Sequence, residues 1–386
     1  MRIILLADGV FPDCMGGMQK HSTMLLKNLL EQGHQVLLVS FFTDKSIDAP
    51  KMLSMLKVNS DLHHRLKLLS IGDPPKFCFP GHYVYESYLF SKSIYNEIKE
   101  VVSSYDFVYA QGFTAWYLLK KRCKTPVGIN FHGLNMFQKT FGFRPFIEKH
   151  ILKPFVLKNL KKADFVFSLG GALTNILLKE GVKKEKIITQ HNGIDESWIV
   201  NEPSQAGNDV TTFLFVGRDD KIKGFEVIRK IVESNFKNLE IKLNVVGIEG
   251  VNSEKTTFFG LVKDEQNLKE IYSQSDILLM NSYSEGMPTV ILEAMAQGKP
   301  IIASDVGAIK ELVGEDNGML FDSGDVNGLI SSIFWFHSLD KKKRYHLGEN
   351  SLIKVKTKFT WRNIVKKSFE MVENKLHEHT KKPDLG

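Results

Sequence analysis

The chain has 386 residues, 43% hydrophobic and 25% charged, an ordinary water-soluble globular composition with length for two domains, or three. Its three cysteines, Cys14, Cys78 and Cys123, are widely spaced and odd in number, which argues against a disulfide frame or a zinc site and for a reducing compartment. A formal net charge of +7 fits nucleic acid, an anionic membrane surface or anionic small ligands, while no apolar run approaches the ~18 residues of a membrane span.

Ile3–Ala7 comes first, five apolar residues before Asp8, which is strand length and too short for a signal peptide. Gly16-Gly17 follow, ahead of a predicted helix over Gln19–Glu31. Two glycines there serve close backbone approach to a ligand or a plain strand–helix turn. Strands are expected at Gln35–Phe41, Phe107–Ala110, Val127–Asn130, Phe165–Leu169 and Ile187–Gln190, and helices at Val84–Val102, Pro145–Leu160 and Ala172–Glu180. Such alternation predicts a parallel α/β sheet with helices on both faces. His132-Gly133 closes one strand, where a histidine points toward a cleft or is a satisfied structural residue. Between Lys139 and Lys162, seven Lys or Arg and one acid, Glu148, interleave with Phe141, Phe143, Phe146 and Phe155. The segment reads as a helix packed by its apolar face, or as a membrane-surface helix with cations toward lipid headgroups. His191-Asn192-Gly193-Ile194-Asp195 reads as a turn entering a hinge, with a functional role for Asn192 left open.

The pattern breaks into polar sequence over Glu196–Asp209, where the linker is placed. A second series follows, with strands at Phe213–Val216, Lys242–Val246, Ile277–Met280, Ile301–Ala303 and Met319–Phe321. Gly217-Arg218 and Lys223-Gly224 come directly after its first strand. Their two cations suit a diphosphate, or are solvated surface charges. The stretch Asn281–Ser304 is the most informative. Between Pro288 and Gln297 it encodes a helix with a single charged residue, Glu293. A helix apolar on nearly all sides is buried, and a carboxylate on it is costly unless hydrogen-bonded, so Glu293 is expected to meet a hydroxyl-bearing ligand in a cleft. Pro288 suits the first helical position, Gly286 frees the backbone, and the helix start seats an anion such as phosphate, with Glu285 just before it. The tail from Lys341 is helical and highly charged.

Together and in this order, these clusters resemble the retaining glycosyltransferases of family four, with the GT-B fold: two Rossmann-like, doubly wound parallel-sheet domains facing across a cleft. The paired-glutamate motif is matched by Glu285 and Glu293 in EGMPTVILE, and the donor segment by GRDDKIKG. The NGID element, the Gly-Gly loop, Phe258–Gly260 and Phe359–Trp361 also stand where the family has them. The resemblance implies an acceptor-side domain over 1–200, a nucleotide-sugar donor domain over 201–357, and a helix over 358–386 packing back on the first. It implies that Glu293 holds the ribose hydroxyls and Glu285 contacts the donor sugar at the reacting ring. The backbone of Gly286, Met287, Pro288 and Thr289 would hold the sugar hydroxyls and distal phosphate. Arg218 and Lys223 would neutralise the leaving diphosphate, His132 would lie near the sugar's reacting face, and Gly17 would approach the phosphate from the other domain. The implied activity is retaining transfer from a nucleotide-diphosphate sugar, with uridine favoured over guanosine, to a hydroxyl of a glycan or lipid-linked acceptor of the cell envelope. No metal or other cofactor is expected, and the implied place is cytoplasmic, peripheral to an anionic membrane through 139–162.

Three departures stand out: Asp219 beside Arg218, Leu134-Asn135 after His132-Gly133, and Ser168-Leu169-Gly170-Gly171 at a strand–helix junction. Among rivals, a nicotinamide dehydrogenase needs a G-x-G-x-x-G loop that DGVFPDCMGGM does not supply. A sugar-nucleotide epimerase needs an acid set for proton transfer that is not identifiable. An inactive nucleotide-sugar sensor sits badly with the intact set Glu285, Glu293, Arg218, Lys223 and His132. Nucleic-acid binding has only the basic balance in its favour.

Overall fold

The computed structural model describes residues 1–73, 76–79, 81–204 and 210–381. Part of the expected linker, residues 205–209, lies outside the described residues, as do 74, 75 and 80 between Thr43 and His82. The first sheet takes strands β1 (Arg2–Leu6), β2 (Gln35–Phe41), β3 (Leu66–Ile71), β4 (Phe107–Gln111), β5 (Val127–Asn130), β6 (Phe165–Ser168) and β7 (Ile187–Thr189). Helices α1 (Gly17–Glu31), α2 (Ala49–Met55), α3 (His82–Ile98), α4 (Trp116–Lys121), α5 (Phe143–Lys162) and α6 (Gly171–Lys179) connect them. The second sheet takes β8 (Thr211–Val216), β9 (Ile241–Val246), β10 (Thr256–Phe258), β11 (Ile277–Met280), β12 (Ile301–Ser304) and β13 (Gly318–Phe321). Its helices are α7 (Phe225–Ser234), α8 (Glu265–Ser273), α9 (Thr289–Ala296), α10 (Ile309–Leu312), α11 (Val326–Ser338) and α12 (Lys341–Lys358), and α13 (Trp361–Lys381) ends the chain's described part.

All strand pairs are parallel, in the orders β3-β2-β1-β4-β5-β6-β7 and β10-β9-β8-β11-β12-β13. Helices cover both faces, so central strands are buried on both sides and read as continuous apolar runs; every residue of β4 and of β11 is buried. In each sheet the winding reverses beside the first strand, between β1 and β4 and between β8 and β11. Connections on the two sides of such a point diverge, and the crevice they leave at the strands' carboxyl ends is where α/β proteins bind ligands.

The strands missed in sequence, β3 and β10, are sheet edges. β3 is only partly buried and β10 has three residues, so neither shows an unbroken apolar run. Helix α3 ends at Ile98 rather than Val102, whose segment forms a separate 3-10 turn. Pro288 is the residue before α9, with extended ψ of 123°, rather than its first helical position. Helix α13 returns to the first sheet: Trp361, Val365, Phe369 and Val372, one face at helical spacing, join a core with Phe107, Tyr109 and Phe167. The chain reaches it through a junction in which Ile194 N–H donates to Phe359 O (2.8 Å) and Trp361 N–H to Ile194 O (3.1 Å). Gly193 is required there because a Cβ would lie 2.9 Å from the Trp361 ring.

Candidate active site

A cleft of about 510 Å³ runs along the switch points of both sheets. Gly17, His132, Arg218, Lys223, Glu285, Gly286, Met287, Pro288, Thr289 and Glu293 all line it. Gly17 begins α1 after β1, His132 follows β5, Arg218 and Lys223 follow β8, and the other six follow β11.

Glu293 is buried on α9, and its Oε2 accepts a hydrogen bond from the Tyr272 hydroxyl at 3.1 Å. Burial pushes the Glu293 carboxyl above its ordinary range, while the charge of Lys20 and the Tyr272 hydrogen bond pull it back. The first N–H groups of α9 receive no side-chain cap, which leaves them to an acceptor in the cleft. Just before them, Glu285 Oε1 accepts from Lys223 Nζ at 2.6 Å, with both side chains largely shielded. Sequence reasoning placed these two residues in one site but not in contact. Arg218 is exposed on the cleft rim. Among the described residues no salt bridge joins it to Asp219, and neighbouring Asp220 instead accepts from Ile222 N–H at 2.9 Å to cap the turn that carries Lys223.

The opposite wall belongs to the first sheet. His132 adopts a left-handed φ of 54° and its backbone N–H donates to Asn130 Oδ1 at 2.8 Å. Its Nε2 meets Gln111 Oε1 at 2.7 Å, and the Gln111 amide nitrogen meets His21 Nδ1 at 3.0 Å. The two rings stand edge to face, 4.6 Å apart. Burial lowers the His132 pKa to about 4, and burial together with the neighbouring His132 pushes His21 well below the usual histidine value. Both imidazoles are therefore neutral hydrogen-bonding groups near pH 7.

The two walls touch. A Cβ on Gly286 would lie 3.0 Å from Gly133 Cα, so the close approach that Gly286 permits is made to the backbone of the other domain. Gln138 donates to Gly133 O and to Glu285 O (2.8 Å) and accepts from the Ser284 hydroxyl (3.1 Å). Asn192 donates to Met287 O at 2.7 Å, and Glu311 accepts from Gly171 N–H at 2.9 Å. The two halves thus share more than the linker and last helix that the sequence suggested, because short polar side chains bridge the cleft directly.

His21, Gln111, Gln138, Tyr272 and Lys20 escaped the sequence reading. Gln111 carried a usable signal, as the lone polar residue ending the buried strand FVYAQ at a switch point. His21 sits four residues after Gly17, one helical turn on.

Residues 15–198 match the model of Glycosyltransferase Family 4, and residues 198–352 that of Glycosyl transferases group 1. An uncharacterized glycosyltransferase of Methanocaldococcus jannaschii is 22% identical over 95% of this chain and 97% of its own. A capsular polysaccharide biosynthesis glycosyltransferase of Staphylococcus aureus is 27% identical over 55% of this chain, which spans 57% of that relative's length. Against a Klebsiella pneumoniae protein the chain spans 45% of the relative. Among solved structures, sucrose-phosphate synthase from Thermosynechococcus elongatus superposes with a TM-score of 0.76 at 19% identity, covering 98% of this chain and 99% of that one. The Anabaena protein HepE in complex with UDP and glucose gives 0.65 at 16% identity, covering 97% and 99%.

Proposed function

This chain belongs to the family-four glycosyltransferases with the GT-B fold, and from that premise we propose that it moves a sugar, with retention, from a nucleoside-diphosphate sugar to an acceptor hydroxyl. The observation that carries the proposal is the Lys223–Glu285 pair at 2.6 Å, set at the uncapped start of α9 and facing Gly133 and His132 in one cleft. Residues 1–200 form the acceptor side and 201–357 the donor side, and within 358–386 the described part, which ends at Lys381, braces the second to the first.

Breaking the bond between the sugar's anomeric carbon and the phosphate oxygen builds positive charge on the ring and negative charge on the leaving diphosphate. Arg218, Lys223 and the Gly286–Thr289 backbone stabilise that negative charge where it develops. Glu285 stands near the ring, and Glu293 takes the ribose hydroxyls. The leaving phosphate accepts the acceptor's proton, and the new bond from carbon to the acceptor oxygen forms on the face the phosphate leaves. His132, uncharged and with its Nε2–H given to Gln111, accepts a hydrogen bond from a sugar hydroxyl rather than giving a proton. Uridine is the favoured base, supported by the fold likeness to a protein solved with UDP. An envelope glycan or lipid-linked acceptor is supported by likeness to the staphylococcal capsular protein.

Helix α5 supports a membrane-surface role, since Phe143 (79% exposed) and Phe146 (54%) project from it. No helix among the described residues is long and apolar enough to cross a membrane. Co-sedimentation with anionic liposomes at low salt is the expected outcome, and its absence removes the membrane role.

A thermal-shift panel of UDP, GDP, ADP and their sugar conjugates, without added metal, tests the donor site. A rise is expected with one nucleotide and is to vanish in Glu293→Ala. Glu285→Ala is to lower turnover more than nucleotide affinity, and wild-type turnover in that variant would refute the assignment.

A further inference from the structure

His21 is 4% exposed and lines the cleft, yet its Nε2 has no hydrogen-bond partner among the described residues. A buried polar nitrogen left unpaired is costly, and such groups are kept where something else completes them. Its chemistry follows from its neighbour. The Gln111 amide oxygen receives His132 Nε2–H, which turns the Gln111 amide N–H toward His21 Nδ1. Nδ1 is thereby an acceptor, and in a neutral ring the proton sits on Nε2. His21 therefore presents a donor and needs an acceptor oxygen.

The surroundings say which oxygen. His21 shares a helix face with Gly17, at the start of α1, which has no side-chain cap. Lys20 stands beside it, while Arg218, Lys223 and the start of α9 line the same cleft. Carboxylates of Asp195, Asp220, Glu285 and Glu293 line the cleft too, and Lys223 is paired with Glu285. It is therefore the two uncapped helix N-termini, with Lys20 and Arg218 beside them, that mark the anionic part of the ligand as the one that belongs. The Trp361 indole, 4.9 Å away centroid to centroid at 80°, is the other group at hand, and an aromatic face accepts an N–H only weakly.

We propose that His21 is a further substrate-binding residue, donating from Nε2–H to a phosphate oxygen of the nucleoside diphosphate, with Gln111 the positioning residue that keeps the proton on that nitrogen. The proposal rests on the donor-site reading above. It gives the first domain a side-chain grip on the leaving group, beside the backbone of Gly17.

The test compares UDP, GDP, uridine and guanosine by calorimetry on wild type, His21→Phe, His21→Gln, Gln111→Leu and Glu293→Ala, with histidine-selective ¹⁵N NMR of the full chain. For the diphosphate that binds, affinity is expected to fall about tenfold or more in His21→Phe, the loss of a hydrogen bond to a charged oxygen. Affinity should be largely kept in His21→Gln, whose amide donates in place of Nε2–H, and nucleoside binding should not change. The wild-type spectrum should show His21 protonated on Nε2, with that resonance moving on diphosphate addition, and Gln111→Leu should mix the tautomers. Unchanged diphosphate affinity in His21→Phe, or a proton on Nδ1, overturns the proposal; loss of binding in Glu293→Ala then leaves the donor-site reading standing. A wild-type chain that binds no nucleotide overturns both.

Discussion

Two imidazoles set edge to face 4.6 Å apart, in a cleft that also gathers Lys20, Arg218 and Lys223, stay uncharged because burial penalises their cations. The cost appears as pH-dependent stability. In the unfolded chain these histidines take up a proton near the usual 6.5, whereas folded His132 does so only near 4. Their contribution is thus fully present above 6.5 and lost as pH falls from there toward 4, where the unfolded state binds the extra protons. Each such group lowers the unfolding free energy by up to about 1.4 kcal/mol per pH unit across that window. Urea melts between pH 7 and 4.5 should show the decline, and it should be shallower in His132→Asn; equal slopes in the two proteins would contradict it. Legibility differed residue by residue. Glu293 was readable because a lone carboxylate on an apolar helix demands a partner. His21 was not, because its significance lies in a contact through Gln111, 90 positions away.

At the scale of elements, the loop before α9 is shaped by a glycine on another strand's connection. Gly307 has a φ of 59°, and a Cβ there would strike the carbonyl oxygens of Glu285 and Gly286. Gly307→Ala should cost about 1–3 kcal/mol of stability through backbone strain. It should also cut turnover at least tenfold, because relief of the clash displaces Glu285; a folded variant with wild-type turnover would sink this account of the loop. Central strands were legible from their continuous apolar runs, whereas the edge strands β3 and β10 were not, being covered on fewer sides. The order of strands within each sheet is likewise absent from any local pattern, since it depends on which crossover goes to which side of the first strand. That order places residues from the connections after β1, β5, β8 and β11 around one cleft.

Over the whole molecule, polar bridges cross the cleft beside apolar contacts that join buried residues of both halves, Leu169 and Met287 among them, in one cluster. Gln138 alone reaches Gly133, Ser284 and Glu285. Gln138→Ala should shift the free protein toward a more open form, seen as a larger radius of gyration in solution scattering, with nucleotide affinity reduced about two- to tenfold. An unchanged scattering profile would mean that other contacts set the closure. Two-domain architecture was legible from the doubled strand–helix series, but the bridges were not, because each joins a side chain to an atom far away in the chain.

Helix α13 completes the first sheet's core with Phe369 and Val372, yet these residues follow the entire second sheet in the chain. During synthesis the first lobe leaves the ribosome lacking one of its covering helices and waits, with a strip of apolar surface bare, while the second lobe emerges and folds. The usual order, in which the N-terminal domain matures first, is inverted at this last step. Until Phe369 arrives, the face of the first sheet that carries Phe107 and Tyr109 lacks the ring that packs on both.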